Sequence, residues 1–131
     1  MATLPLLTDD EAGPEARAVF DDIRETRQTD YVNNFWRAMA NEPATLAAVW
    51  ERLKAVMGPG ALDPLTKEMI YVAVSVANGC EYCVHSHTAS AKAKGMTDAM
   101  HGELLAVIGM ASQTNALATA MQVPVDERFK A

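Results

Sequence analysis

The sequence predicts an all-α protein. Apolar residues in every long segment repeat at the helical period, and no strand–turn–strand pattern occurs. Proline and glycine fall where helices begin and end. The chain has 131 residues, 50% hydrophobic and 21% charged, which fits one globular domain spanning residues 1–131. A domain of this length buries roughly two thirds of the surface its unfolded chain exposes. Eight Met and many Ala, against three Phe, three Tyr and two Trp, point to a bundle of closely packed helices, six or seven in number.

The elements follow in order. Pro14 suits a first helical position, and Ala16, Val19, Phe20 and Ile23 form one face of a helix reaching about Arg27. A short aromatic helix covers residues 34–40. Pro43 starts a third, with Leu46, Trp50, Leu53 and Met57 along one stripe and Gly58 as its stop. Asp63 and Pro64 open a fourth as N-cap and first residue, and Asn78-Gly79 closes it. The body of this helix is apolar nearly all round, so it is expected to be central and buried on most sides. A fifth helix runs from Cys80 to Lys94 and stops at Gly95. Thr97 caps a sixth carrying Met100, Leu104, Val107 and Ile108. A last helix over residues 112–122 ends before Pro124. Residues 104–125 carry no charge but are interrupted by Ser112, Gln113, Thr114, Asn115, Thr119 and Gln122. They read as buried helices rather than a membrane span.

The net charge is −6, from 11 basic and 17 acidic residues. A binder of nucleic acid or of anionic membranes needs a basic face, so neither is an expected partner. Residues 1–7 are apolar but lack a basic start, and Asp9, Asp10 and Glu11 follow. No secretory signal is read there, and a cytoplasmic location is expected. Two cysteines three apart in such a chain read as redox or metal chemistry rather than a disulfide scaffold.

The informative stretch is Cys80-Glu81-Tyr82-Cys83-Val84-His85-Ser86-His87. At about 100° per residue, Cys80, Cys83 and His87 share a helical sector of roughly 60°, while Tyr82 and His85 point away. Only a thiolate attacks, and a free thiol ionises near pH 8.5, so reactivity needs help. The helix N-terminus supplies a field favouring an anion at Cys80. His87, one turn beyond Cys83, supplies a base. The second thiol can capture a sulfenic acid as a disulfide. Cα atoms three apart at a helix start lie near 5–6 Å, so Cys80 and Cys83 are expected to close that disulfide without large backbone movement.

Plainer readings stand beside this one. The cysteines could be two small core residues or half a metal site. His85 and His87 diverge by about 200° on a helix, so zinc would need a ligand from elsewhere, such as His101, and no metal is assigned. His85 reads as a surface or subunit-contact residue. Glu68, twelve residues before Cys80, is either a solvated acid or a buried carboxylate whose pKa burial raises, relaying protons to the thiols. An ideal antiparallel hairpin leaves it roughly 6 Å beyond His87 along the axis, so both direct contact and a water bridge stay open.

Glu68, Cys80, Cys83 and His87 together spell E-x11-C-x-x-C-x-x-x-H. This resembles the core motif of the alkylhydroperoxidase AhpD-like branch of the carboxymuconolactone decarboxylase family, over residues 62–105. The resemblance implies an all-helical fold, assembly into trimers or hexamers, and cofactor-free reduction of hydroperoxides. It implies that Cys83 is attacked by peroxide, that Cys80 is proton donor and disulfide partner, and that Glu68 and His87 relay protons. A separate thiol/disulfide reductant would close the cycle. One departure is Tyr82, where the best-characterised members carry a histidine. Base assistance from His87 favours Cys83 and the helix field favours Cys80, so the physics alone is balanced. The resemblance decides for Cys83. Two other functions stay open: a muconolactone-type decarboxylase, which has no need of a thiol pair, and a non-enzymatic redox-sensing or metal-binding oligomer. Apolar helix faces too numerous for one short chain to cover also imply a homo-oligomer, with residues 1–58 in its interface.

Overall fold

Helix starts are written into the local chemistry of the chain. The computed structural model describes residues 1–130. It contains α1 (Pro14–Arg27), α2 (Asn34–Met39), α3 (Pro43–Met57), α4 (Pro64–Ala77), α5 (Glu81–Ala93) and α6 (Asp98–Ala120), then a short 3-10 turn, Glu127–Phe129. No strand occurs among the described residues. Proline opens α1, α3 and α4, at a position where its missing N–H costs nothing. Asp63 caps α4 by accepting from the Thr66 amide at 3.0 Å, and Thr97 caps α6 by accepting from Met100 at 3.1 Å. None of the six helices is long and apolar enough to cross a membrane.

The helices divide into two compact units, Met1–Gly58 and Pro59–Ala131. The first has an aromatic core. Phe20, Ile23 and Leu46 are fully buried, and Trp36 meets Trp50 edge to face at 5.3 Å. The Trp50 indole N–H donates to Asp22 at 2.5 Å, and Lys54 pairs with the same carboxylate. Arg37 bonds the Leu7 carbonyl and Asp9, tying the N-terminal segment to α2.

The second unit carries the cysteine motif. Its α4 and α5 form an antiparallel hairpin, and α6 packs on α4. The hairpin turn is a Schellman motif. Gly79 has φ +66°, its amide bonds the Val76 carbonyl, and the Cys80 amide bonds the Ser75 carbonyl. Gly95, at φ +102°, closes α5 in the same way through Lys92 and Ala91.

Three expectations need correction. The segment after Thr97 is one 23-residue helix, not two. The polar run from Ser112 to Asn115 holds no glycine or proline, and Thr114 bonds back to the Met110 and Ala111 carbonyls, so nothing breaks it. The helix stops at Met121, with Gln122 left-handed just before Val123-Pro124. Second, residues 104–125 are not buried: no residue of α6 is, and Val107, Met110 and Met121 are among the most exposed apolar side chains. Third, α4 is buried on one face rather than most. Glu68, Val72 and Ser75 face inward at i, i+4 and i+7, while Ile70 and Val74 are about half exposed.

A Cβ at Gly79 would meet nothing within 4 Å, so only the backbone conformation resists substitution there. Gly79→Ala should destabilise the protein by about 1–2 kcal/mol in urea denaturation, the usual cost of a left-handed non-glycine residue, and Gly79→Asn by less.

Candidate active site

The turn at Gly79 sets the first thiol. Its geometry makes Cys80 both the last residue of the α4 closure and the N-cap of α5. The Cys80 amide is spent on Ser75, and its Sγ accepts from the Cys83 amide at 3.3 Å. Cys83 follows in the first turn of α5, half-buried, with its carbonyl accepting from Ser86 Oγ. Both cysteines are free thiols.

Across the hairpin, Glu68 is the most buried charged side chain among the described residues, 5% exposed. Its two oxygens are divided. Oε2 contacts His87 Nδ1 at 2.7 Å, while Oε1 accepts from Ser90 Oγ at 2.7 Å and from Lys94 Nζ at 2.9 Å. Lys94 also donates to Ser90 Oγ at 2.8 Å. His87, Ser90 and Lys94 stand at i, i+3 and i+7, one face of α5, so three side chains converge on one carboxylate. The contact with His87 is direct, so no bridging water is needed. An axial offset of one helical turn is within the reach of two long side chains meeting across a tight turn.

Tyr71 completes the arrangement from α4, one turn after Glu68. Its ring stacks on the His87 imidazole with centroids 3.6 Å apart and planes 16° from parallel. Burial raises the phenol, and negative charge at Cys83, Cys80 and Glu68 raises it further, so Tyr71 lies within electrostatic reach of both thiols and the carboxylate. This stacks Tyr71 against one ring face while Glu68 holds Nδ1, and the imidazole orientation is fixed twice.

The electrostatics reverse one expectation. Burial alone would push the Glu68 carboxyl up, but hydrogen bonds from His87, Lys94 and Ser90, with the Lys94 charge, outweigh it and hold the group at about 2. A carboxylate at that value is ionised at neutral pH and only accepts. Nδ1 therefore carries the hydrogen of the contact, and in the neutral ring Nε2 is the acceptor. For Cys83, burial pushes the thiol up to about 11, aided by the Cys80 sulfur beside it.

The structure thus brings Glu68 and His87 into contact and sets the two thiols side by side at the same end of the hairpin. Ser90, Lys94 and Tyr71 were missed by sequence reasoning. Their spacings, three and seven residues after His87 and three after Glu68, carry the signal. Tyr82 and His85 lie with Glu81 and Ser86 around an open depression on another face of α5. Among the described residues, none forms a side-chain hydrogen bond or ion pair with His101, in the first turn of α6. No group of three or more His, Cys, Asp or Glu side chains is placed to hold a metal among the described residues.

The chain matches the carboxymuconolactone decarboxylase family over residues 43–126. An uncharacterized protein of Cupriavidus necator is 34% identical over 83 residues, which span 63% of this chain and 74% of that one. Uncharacterized protein 4 in the cox locus of Paracoccus denitrificans is 40% identical over 45 residues, 34% of this chain and 40% of its own. The crystal structure of an alkylhydroperoxidase AhpD core from Rhodospirillum rubrum is 65% identical with a TM-score of 0.97, covering 100% of this chain and 98% of that one. These similarities support a function of the alkylhydroperoxidase or carboxymuconolactone decarboxylase type.

Because the folded Glu68 carboxyl lies below its ordinary 4.5, its ionisation adds stability that is present above that pH and is lost as pH falls towards 2. The difference in urea unfolding free energy between wild type and Glu68→Gln should therefore shrink on acidification through this window, by on the order of 3 kcal/mol. A difference that stays constant with pH would refute the ion cluster.

Proposed function

The chain belongs to the carboxymuconolactone decarboxylase family, and from that premise we propose that it is a cofactor-free thiol peroxidase of the AhpD-like branch. The observation that carries this reading is the pair of adjacent free thiols at the start of α5, followed one turn after Cys83 by an imidazole whose Nδ1 is engaged by an ionised carboxylate. A lactone decarboxylase has no use for the second thiol.

The chemistry runs in two steps. His87 Nε2 accepts the Cys83 proton as the sulfur attacks a hydroperoxide oxygen. The O–O bond breaks, the proton passes to the departing alkoxide, and an alcohol leaves a sulfenic acid on Cys83. Cys80 sulfur then attacks Cys83 sulfur. The S–O bond breaks, the Cys80 proton joins the departing hydroxide as water, and a disulfide closes. A separate dithiol reductant restores both thiols. Because the Cys83 thiol sits at about 11, it keeps its proton at neutral pH, and base removal of that proton accompanies attack. Glu68 orients the imidazole and stabilises the imidazolium that forms, while remaining a carboxylate, as the carboxylate of a hydrolase triad does. The exposed apolar side chains of α4 and α6 support assembly into a homo-oligomer, a trimer or hexamer, which light scattering would detect as a mass well above 14.1 kDa.

One equivalent of hydroperoxide should remove two thiols per chain, reversibly with dithiothreitol. Cys80→Ser should accumulate a dimedone-trapped sulfenic acid on Cys83, located by mass spectrometry, and Cys83→Ser should give no comparable adduct on Cys80. Equal adducts in both variants would reverse the assignment. Retention of both thiols in wild type would end the peroxidase reading.

The His87→Ala protein should react about a hundredfold or more slowly at neutral pH, the usual worth of a positioned base. Its residual rate should climb about tenfold per pH unit as free thiolate accumulates, levelling only near pH 11. Stopped-flow peroxide consumption across pH would read both effects, and a plateau by pH 8 would contradict them.

A further inference from the structure

We propose that Lys94, with Ser90, is a positioning residue of the thiol site: its ammonium fixes Glu68 as a carboxylate aimed at His87 and so sets the pH range in which the thiols react. The inference rests on the assignment of Glu68 and His87 as the base of the thiol pair.

The geometry makes a closed triangle. Lys94 Nζ donates to Glu68 Oε1 at 2.9 Å and to Ser90 Oγ at 2.8 Å, and Ser90 Oγ donates to the same Oε1 at 2.7 Å. Oε2 is left to His87 Nδ1 alone, at 2.7 Å. The carboxylate cannot rotate without breaking three bonds. Lys94 is itself held, as the α5 C-cap next to the Gly95 turn, where the helix terminus favours a cation. Its side chain is 40% exposed and that of Glu68 only 6%, so the ammonium stays solvated at one end while compensating a buried charge at the other.

The groups facing Glu68 are His87, Ser90 and Lys94 from α5. Tyr71, on its own helix, and the two thiols beyond Tyr71 complete the neighbourhood. Among the described residues, α6 sends it no ion pair or hydrogen bond. Lys94 is therefore the one fixed cation on the carboxylate. Without that charge, the Glu68–His87 pair binds an extra proton more tightly. Wherever that proton settles, Nε2 becomes occupied. An imidazolium has hydrogen on both nitrogens, and a carboxylic acid donating to Nδ1 forces the neutral ring to carry its hydrogen on Nε2. Either state removes the acceptor for the Cys83 proton.

The sign follows. Removing a positive charge raises proton affinity across the site, so the pH profile of thiol reactivity moves to higher pH. Iodoacetamide alkylation of Cys83 in the full chain, followed by mass spectrometry from pH 6 to 10, reads this without any peroxidase turnover. Lys94→Met should displace the rising limb upward by about half a unit, about threefold slower at a given pH on that limb. Lys94→Arg should restore the wild-type profile, and Ser90→Ala should shift it in the same direction by less. Should Lys94→Met not fold, Lys94→Gln keeps a donor without the charge and gives the same reading. A Lys94→Met or Lys94→Gln profile that coincides with wild type, with only the melting temperature lowered, overturns the proposal and leaves Lys94 a structural ion pair. A shifted profile in a protein that consumes no hydroperoxide upholds the role of Lys94 and sinks the peroxidase reading instead.

Discussion

A single buried carboxylate governs the second unit. Glu68 is 5% exposed, and an ion in that position costs several kcal/mol unless it is paired and hydrogen-bonded. All three partners come from α5, which fixes what α5 must present: His87, Ser90 and Lys94 on one face, opposite the inward face of α4. The Schellman turn at Gly79 serves the same need: its three-residue connection, 78–80, folds the two helices back so that the first half of α4 meets the second half of α5. Apolar replacements for such a cluster are often no less stable. Its value lies in orientation: the charge holds one imidazole nitrogen, and Tyr71 holds the ring plane.

That orientation bears on the thiols through an opposition of effects. The helix N-terminus draws negative charge towards Cys80, whose Sγ already accepts from the Cys83 amide. Burial and the neighbouring sulfur act against ionisation at Cys83. A preformed thiolate is therefore not what makes Cys83 the better candidate for attack. The better argument is kinetic, a proton taken at the moment of bond formation by a base one turn away.

The helix boundaries were legible because caps are local. Asp63-Pro64, Thr97 and Gly58 each act through atoms within four residues, and the predicted ends fall within a residue or so of the observed ones. The break expected near Ser112 was wrong for an instructive reason. Polar residues interrupt burial, not helix, and α6 was never buried. The site was half legible. The four-residue motif named Glu68, Cys80, Cys83 and His87, but the state of Glu68 depends also on Lys94, and the repeat Ala89-Ser90-Ala91-Lys92-Ala93-Lys94 enters the sequence reading only as the end of the fifth helix. Counting in steps of three and four from His87 picks out Ser90 and Lys94 from it, while Lys92 falls on another face and pairs loosely with Asp98. The expected rise in the Glu68 pKa was sound for burial alone and failed because the hydrogen bonds from His87, Lys94 and Ser90, and the Lys94 charge, outweigh burial.

The two units hold themselves together by different means, and the site lies in the one with the thinner core. Met1–Gly58 buries nine residues in a continuous aromatic and aliphatic cluster. Among the described residues of the second unit the buried apolar ones are Val72, Ala91 and Met96, while α6 and the outer face of α4 expose large apolar side chains. Precision at the thiols then cannot come from jigsaw packing, which needs a dense surround. It comes from directional bonds: two glycine turns, a sulfur N-cap and a carboxylate with three donors. Such bonds fix angles well but resist opening weakly when few apolar contacts back them. A second surface that covers α4 and α6 would add the missing contacts without touching the reacting atoms. In this chain the geometry of the site is set from within the hairpin, by bonds that fix angles rather than by a dense apolar surround.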